Sequence, residues 1–369
     1  MRLTIKKSNL LRGVQTVSKA VPNKTSMSIL ECILIDAREG MIRLVGNDMD
    51  LGIETFIEGD IEEKGIIALE SKVFLEIVRK LPDNYVIIET DNDYKTTIIC
   101  ENSKFSIMGR NWEEFIDLPA IKKENGVEIS QFALKEVIRQ TIFSISDNDT
   151  NKAMGGEYFD IKYNCFKVVS LDGHRISIRK IFMKNSYEDR HAIVPGKSLT
   201  ELMKILTGEA EKDVIIYFED KFIIFEFDST VMVSRLIEGE YFKIDQMLST
   251  DYETKFKINK KMFMDCIDRA TLLVKEGDKK PVIINVQDEM MELKINSVVG
   301  SMKEEIVITK EGKDIMIGFN PKFLMDALRV IDEEEVTLYL VNPKAPCFIR
   351  DEEQNYVYLI LPVNFTTVS

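Results

Sequence analysis

The strongest constraint on this chain is that it repeats itself. SKVFLEIVRKL from Ser71, GKSLTELMKIL from Gly196 and PKFLMDALRVI from Pro321 share one pattern, with an equal step of 125 residues from Ser71 to Gly196 and from Gly196 to Pro321. Lys72, Lys197 and Lys322 coincide in it, as do Arg79, Lys204 and Arg329, and Glu76, Glu201 and Asp326 between them. A second pattern keeps nearly the same period: LTIKKSNLLRGVQTV from Leu3, VEISQFALKEVIRQT from Val127 and FKINKKMFMDCIDRA from Phe256. Leu10, Leu134 and Phe263 share a register, followed four residues later by Val14, Ile138 and Ile267, and that step puts each pair on one helix face.

Each copy therefore reads as a short strand, a helix, a second helix and then alternating runs such as YVIIET from Tyr85, VIIYF from Val214 and VTLYL from Val336. Helices are expected over 8–20, 71–81, 131–144, 196–206, 260–274 and 320–331. A period of this length marks one domain used three times. The polar stretches IKKENG and LSTDYET are the expected joints, giving domains over 1–120, 127–247 and 255–369. The expected class is α+β, with two helices packed on antiparallel sheet in every copy.

Composition narrows the chemistry. The five cysteines, Cys32, Cys100, Cys165, Cys266 and Cys347, stand in no CxxC or Cys/His spacing, so zinc and a disulfide framework are not expected and a reducing, cytoplasmic setting is. No run approaches the roughly 18 apolar residues of a membrane helix, and the start, MRLTIKKSNLLRG, lacks the long apolar region of a secretory signal. With two histidines, His174 and His191, multi-histidine metal sites are disfavoured.

The net charge is −13, from 49 Lys+Arg against 62 Asp+Glu. Yet each of the six expected helices carries a surplus of Lys and Arg, so the remainder is more acidic than the whole. One reading is solvated basic residues on exposed faces. The other is a helix-lined basic surface on an acidic body, which suits a phosphate backbone bound without reading sequence. Helices are about 10 Å wide, so six side by side in a closed circle leave a hole of about 9 Å, while twelve leave about 28 Å. The major groove alone of B-DNA is about 12 Å wide. A ring around a duplex thus needs two chains.

Read together, the motifs resemble the bacterial DNA polymerase III beta subunit family, the sliding clamps. SLDGHRIS (170–177), VPGKSLTELMKIL (194–206), GFNPKFLMDAL (318–328), LILPVNF (359–365), NDMDLGIE (47–54) and NWEEFIDLP (111–119) match family segments in order and spacing along essentially the whole chain. The family commonly has Thr at Leu171, Phe-Pro-Asp-Tyr at Tyr241–Ile244, Arg at Asn364 and Arg at Lys24. The resemblance implies three DNA-clamp domains per chain, joined head to tail with a second chain as a homodimeric ring around duplex DNA, without sequence preference. It implies a processivity factor with no catalysis of its own and no cofactor or metal. The implied partners are the replicative polymerase alpha subunit, the clamp-loader complex, repair polymerases and mismatch-repair proteins.

The same resemblance implies a hydrophobic partner-peptide cleft of Met154, Leu171, Gly173, His174, Arg175, Ile176, Phe242, Met247, Phe323, Leu359, Ile360, Leu361, Pro362 and Val363. The C-terminal strand Leu359–Val363 is expected as one wall, with Met154, Leu171 and Ile176 opposite. Lys24 and Lys72 align with DNA-contacting positions, and Asn148 and Lys152 with a loop that touches DNA. Repeat symmetry adds Arg79, Lys197, Lys204, Lys322 and Arg329. Phe105, Leu272 and Leu273 align with apolar positions used between subunits.

Two other classes compete. An acidic metal-dependent enzyme would use Asp48, Asp50 and Asp172, but Asp172 lies in a separate repeat from the other two, without a clustered ligand spacing. A scaffold without DNA would leave the basic helices unexplained. Asp172-Gly173-His174-Arg175 has the residue types of an acid–base pair, but no GxSxG or Cys nucleophile motif accompanies it. Nor is there a GxxxxGK[ST] phosphate loop, so ATP hydrolysis is not expected.

Overall fold

A computed structural model describes residues 1–146, 151–274 and 280–365. Among these residues six α-helices occur at the expected places: α1 Lys7–Val17, α2 Ser71–Lys80, α3 Gln131–Arg139, α4 Gly196–Ile205, α5 Lys260–Thr271 and α6 Pro321–Val330. In α2 the buried positions are Ser71, Phe74, Ile77 and Val78, a stripe at helical spacing, with Lys72, Arg79 and Lys80 left in solvent. Asn259 caps α5 through Met262 N and Asn320 caps α6 through Lys322 N, each at 3.0 Å, and Pro321 opens α6, where a missing N–H costs nothing. Helices α1, α3 and α5 stop short of the expected ends; 3-10 turns Ser18–Ala20 and Ile142–Ser144 follow the first two.

Strand pairing carries the repeat further. The strand before the first helix of each copy pairs antiparallel with the strand after its second helix: Arg2–Lys6 with Tyr85–Thr90, Val127–Ser130 with Asp213–Phe218, and Thr254–Asn259 with Glu335–Leu340. The registers begin alike, with Lys6 opposite Tyr85, Ser130 opposite Asp213 and Asn259 opposite Glu335. A hairpin closes each copy, and its last strand is Ser103–Met108, Thr230–Arg235 or Tyr356–Ile360.

The chain gathers into two compact units, Met1–Leu134 with Lys197–Leu236, and Lys135–Gly196 with Ile237–Ser369. The division runs through the second copy because each end of that copy is stitched by strands to a neighbour. In the first unit, Thr230–Arg235 pairs with Leu51–Ile57 inside an eight-stranded sheet, with Thr230 opposite Thr55 and Ser234 opposite Leu51. In the second unit, Tyr356–Ile360 pairs with the strand Arg175–Pro195 inside a seven-stranded sheet. All four sheets are open, with an edge strand at each end. Ser103–Met108 ends a five-stranded sheet in the first unit, and Ser301–Val307 ends a four-stranded sheet in the second.

The core of the third copy is a continuous cluster that includes Phe256, Phe263, Ile267, Leu293, Ile317, Leu328 and Tyr358. No helix among the described residues is long and apolar enough to cross a membrane.

Candidate functional site

The groove that the second unit presents is built on its seven-stranded sheet. Leu171, Ile176 and Leu359 lie in one row across three adjacent strands, since Leu171 faces Ile176 in one ladder and Ile176 faces Leu359 in the next. Neighbouring side chains in such a row stand on one face. This row is the floor of an open cavity of about 380 Å3, and Met154, Phe242, Met247, Pro346 and Leu361 complete it with Gly173, His174 and Arg175. Met154 comes from the 3-10 turn Lys152–Gly155, whose Asn151 side chain accepts from Ala153 N at 3.1 Å. Phe242 is set by its neighbour. Tyr241 stacks on Tyr158 with ring centres 4.8 Å apart, and Phe242 meets Tyr241 edge-on at 5.7 Å.

The Asp172–Arg175 turn forms the rim. Asp172 Oδ1 accepts from His174 N at 2.9 Å and Arg175 N at 3.1 Å, and Gly173 takes φ +86°, a backbone region that favours glycine. These bonds make Asp172 a turn-former rather than the orienter of a catalytic histidine. Among the described residues no group of three or more His, Cys, Asp or Glu is gathered to hold a metal. Asp48 is likewise occupied: its Oδ1 accepts from Asp50 N and Leu51 N and its Oδ2 from Lys197.

Most of the expected cleft residues come together, with four differences. The strand ends at Ile360, and residues 361–365 continue without strand structure. Ile360 does not face the groove. Side chains alternate along a strand, so Val357 and Leu359 point to the groove side while Tyr358 and Ile360 enter the core of the third copy. Leu171, Ile176 and Leu359 share the floor instead of facing one another across the groove. Phe323, Pro362 and Val363 line a neighbouring cavity of about 910 Å3 together with Lys322, Asp326 and Arg329, and His174 borders both cavities. Pro346 was missed in the sequence because it lies in the loop just before the strand Cys347–Arg350, outside the segments that carry the resemblance.

At the first copy junction the equivalent space is largely filled by the chain itself. The Leu118 side chain lies 2.1 Å from where a Cβ at Gly52 would be, and a cavity of about 210 Å3 remains.

The basic residues divide into two groups. Lys24, Lys72, Lys152, Lys197, Lys204, Arg79, Lys322 and Arg329 are all exposed, whereas Asn148 lies outside the described residues. Lys204 pairs with Glu201 at 2.7 Å, Lys322 with Asp326 at 2.7 Å, Lys197 with Asp48 at 2.5 Å, and Arg79 with Glu76. Among the described residues Lys72 reaches only the carbonyl of Asn23, at 3.5 Å, beside Lys24. Of the expected interface residues, Phe105 is half-exposed on the free edge Ser103–Met108 and Leu272 is 79 % exposed, while Leu273 packs partly onto the core.

Three copies of a two-helix, antiparallel-sheet unit with an apolar groove define a clamp-type fold. Family models of the DNA polymerase III beta subunit match its N-terminal domain to residues 1–119, its central domain to 128–243 and its C-terminal domain to 245–364. The Bacillus subtilis beta sliding clamp is 35% identical over 377 residues, covering 98% of this chain and 99% of that protein. A crystal structure from Eubacterium rectale, assigned as a DNA polymerase III beta subunit, superposes with TM-score 0.96 at 64% identity over 99% of this chain and 100% of that one. The Bacillus subtilis sliding clamp structure does so with TM-score 0.96 at 33% identity, with the same coverage. The chain belongs to the DNA polymerase III beta subunit family of sliding clamps.

Proposed function

We propose that two copies of this chain close head to tail into a ring around duplex DNA and hold the replicative polymerase on it as a processivity factor without catalysis of its own. The domains are those over 1–120, 127–247 and 255–369. The observation that carries the ring is an edge rule. At both internal junctions, the last hairpin strand of one copy pairs with a strand of the copy before it, Thr230–Arg235 with Leu51–Ile57 and Tyr356–Ile360 with Arg175–Pro195. The first copy's last hairpin strand, Ser103–Met108, and the third copy's counterpart of Leu51–Ile57, the strand Ser301–Val307, are left at sheet edges. Free edges invite pairing. A second chain supplies the missing partner for each, and two chains give the twelve helices a duplex-sized hole needs.

The groove on the second unit takes short leucine- or phenylalanine-bearing peptides of the polymerase, the clamp loader, and repair and mismatch-repair proteins. Methionine and branched aliphatic walls adapt to several such guests. Burying a few hundred Å2 at about 25 cal/mol per Å2 supplies several kcal/mol before ordering costs. A net Kd of roughly micromolar follows, which suits partner exchange.

Loaded protein should stay on closed circular DNA at salt that screens phosphate contacts and run off once the circle is cut. Equal loss from circular and linear DNA would sink the ring.

A further inference from the structure

The three copies place an acid at the same point of their second helices, and the third copy uses it differently. In α2 and α4 the acid is Glu76 or Glu201, and each bonds the basic residue three positions on in its own helix, Arg79 or Lys204. In α6 it is the shorter Asp326. Its Oδ2 accepts from Arg175 Nη1 and from Lys322 Nζ, both at 2.7 Å. The carboxylate has turned from Arg329 toward the rim of the groove.

Arg175 is 6 % exposed, and every nitrogen of its guanidinium is used. Nε donates to Asp172 Oδ2 at 2.9 Å, Nη1 to Asp326, and Nη2 to the carbonyl of Phe143. Its plane lies over the Phe323 ring at 4.4 Å and the Phe143 ring at 5.5 Å. A planar fork held this way is a joint between three elements: the Asp172–Arg175 turn, α6 and the 3-10 turn Ile142–Ser144. A buried guanidinium that loses one carboxylate must find water or another acceptor. Moving it drags the turn, whose own bonds begin at Arg175 N.

We propose that Asp326 is a positioning residue for the peptide groove: it locks Arg175, and through Arg175 it fixes the Asp172–Arg175 turn in the shape that receives a guest. The proposal rests on the cleft reading above and extends it to a residue that does not line the groove of about 380 Å3. It also explains why this copy carries Asp. A Glu here, one methylene longer, would reach Arg329 three positions on, as Glu76 and Glu201 reach Arg79 and Lys204, and would release Arg175.

The test is a titration of the full-length protein with a fluorescein-labelled hexapeptide ending in Leu-Phe, together with amide hydrogen exchange over residues 171–178. Asp326→Asn is near-isosteric and Asp326→Glu keeps the charge. Both should weaken the peptide by about tenfold, the scale of one charge-assisted bond, and both should speed exchange at His174 and Arg175. Glu76→Gln, at the equivalent point of the first copy, should leave both readouts at wild-type values. Unchanged affinity in both Asp326 variants overturns the proposal and leaves the cleft reading standing. Lost affinity with unchanged exchange also overturns it, because the effect would then not pass through the turn. A wild-type protein that does not bind the hexapeptide overturns the cleft reading and this proposal together.

Discussion

The backbone N–H of Leu361 donates to the carbonyl of His174 at 2.8 Å, tying the segment that leaves the C-terminal strand to the turn at the groove's rim. Val363 N then donates to Gly318 O at 2.8 Å, and Pro362, which has no N–H, bridges the two anchors. Ending the chain after Ile360 removes the Leu361 side chain and both anchors but leaves the strand ladder Tyr356–Ile360 intact. Peptide affinity should fall by about tenfold or more, with the oligomeric state unchanged. Fluorescence titration beside a sizing run checks it; full affinity in the truncated protein would place the groove elsewhere.

A buried carboxyl in the second unit should leave a pH signature. Glu157 has no exposed surface, its Oε1 accepts from Thr141 Oγ1 at 2.7 Å, and its Oε2 has no partner among the described residues. Burial pushes its pKa well above the usual carboxylate range, and the Thr141 bond offsets this only in part. A raised folded-state pKa means that the stabilisation is complete below the unfolded value of about 4.3 and is lost as pH rises through the folded value. Glu157→Gln keeps the shape and removes the titration. Its stability relative to wild type should therefore improve from pH 5 to pH 8 in urea unfolding. A difference that does not change with pH would rule out a titrating Glu157.

Much of this molecule was legible because it is written three times. A chance pattern does not recur at Ser71, Gly196 and Pro321, so the second helices and their basic faces could be placed from sequence, and the strands followed from alternation. The groove was legible mainly through motif order. Its details were not, because they depend on which way a side chain turns. Alternation sends Leu359 to the groove and Ile360 to the core, and nothing in LILPVNF announces that the strand ends between Ile360 and Leu361. Asp326 looked equivalent to Glu76 and Glu201 in the alignment. Only the fold shows that it bonds Arg175, 151 residues away in sequence. Electrostatics was similarly half-visible: the surplus of basic residues was countable, but the neutralisation of Lys197 by Asp48 was not.

If two chains pair at these edges as proposed, the edge rule sets a register for them. Ser103 holds the place of Thr230 in its hairpin, since Cys100–Ser103 and Phe227–Thr230 are the corresponding closing pairs, so Phe105 corresponds to Met232. Met232 faces Ile53 at the first junction. Asn47–Gly52 corresponds to Asn296–Ser301, so Ile53 corresponds to Met302. Phe105 of one chain should therefore face Met302 of the other. Directly opposite residues lie within disulfide reach. Phe105→Cys with Met302→Cys should give an intermolecular disulfide on mild oxidation, visible on a non-reducing gel, whereas Phe105→Cys with Lys303→Cys should give much less. The exposed Leu272 and its neighbour Leu273, which follow α5, give a second test: Leu272→Ala with Leu273→Ala should shift the protein toward monomer in dilute solution by sedimentation.

The contrast among the basic residues makes a quantitative test of the DNA side. Arg79, Lys197, Lys204 and Lys322 already have a carboxylate partner, so a phosphate must compete for them. Among the described residues Lys24 and Lys72 have no carboxylate within ion-pair distance, and they lie together through Asn23. Each phosphate neutralised contributes about −0.9 to the slope of log K against log salt concentration. Lys24→Ala with Lys72→Ala should therefore flatten that slope by about two on a short linear duplex. Lys197→Ala with Lys204→Ala should flatten it less, because a lysine already paired with a carboxylate neutralises less than a full phosphate. Fluorescence anisotropy across a salt series separates the two. Equal slopes for the two double variants would show that the intramolecular pairs open freely when DNA arrives, and that the surplus of charge, not its pairing, sets the contact.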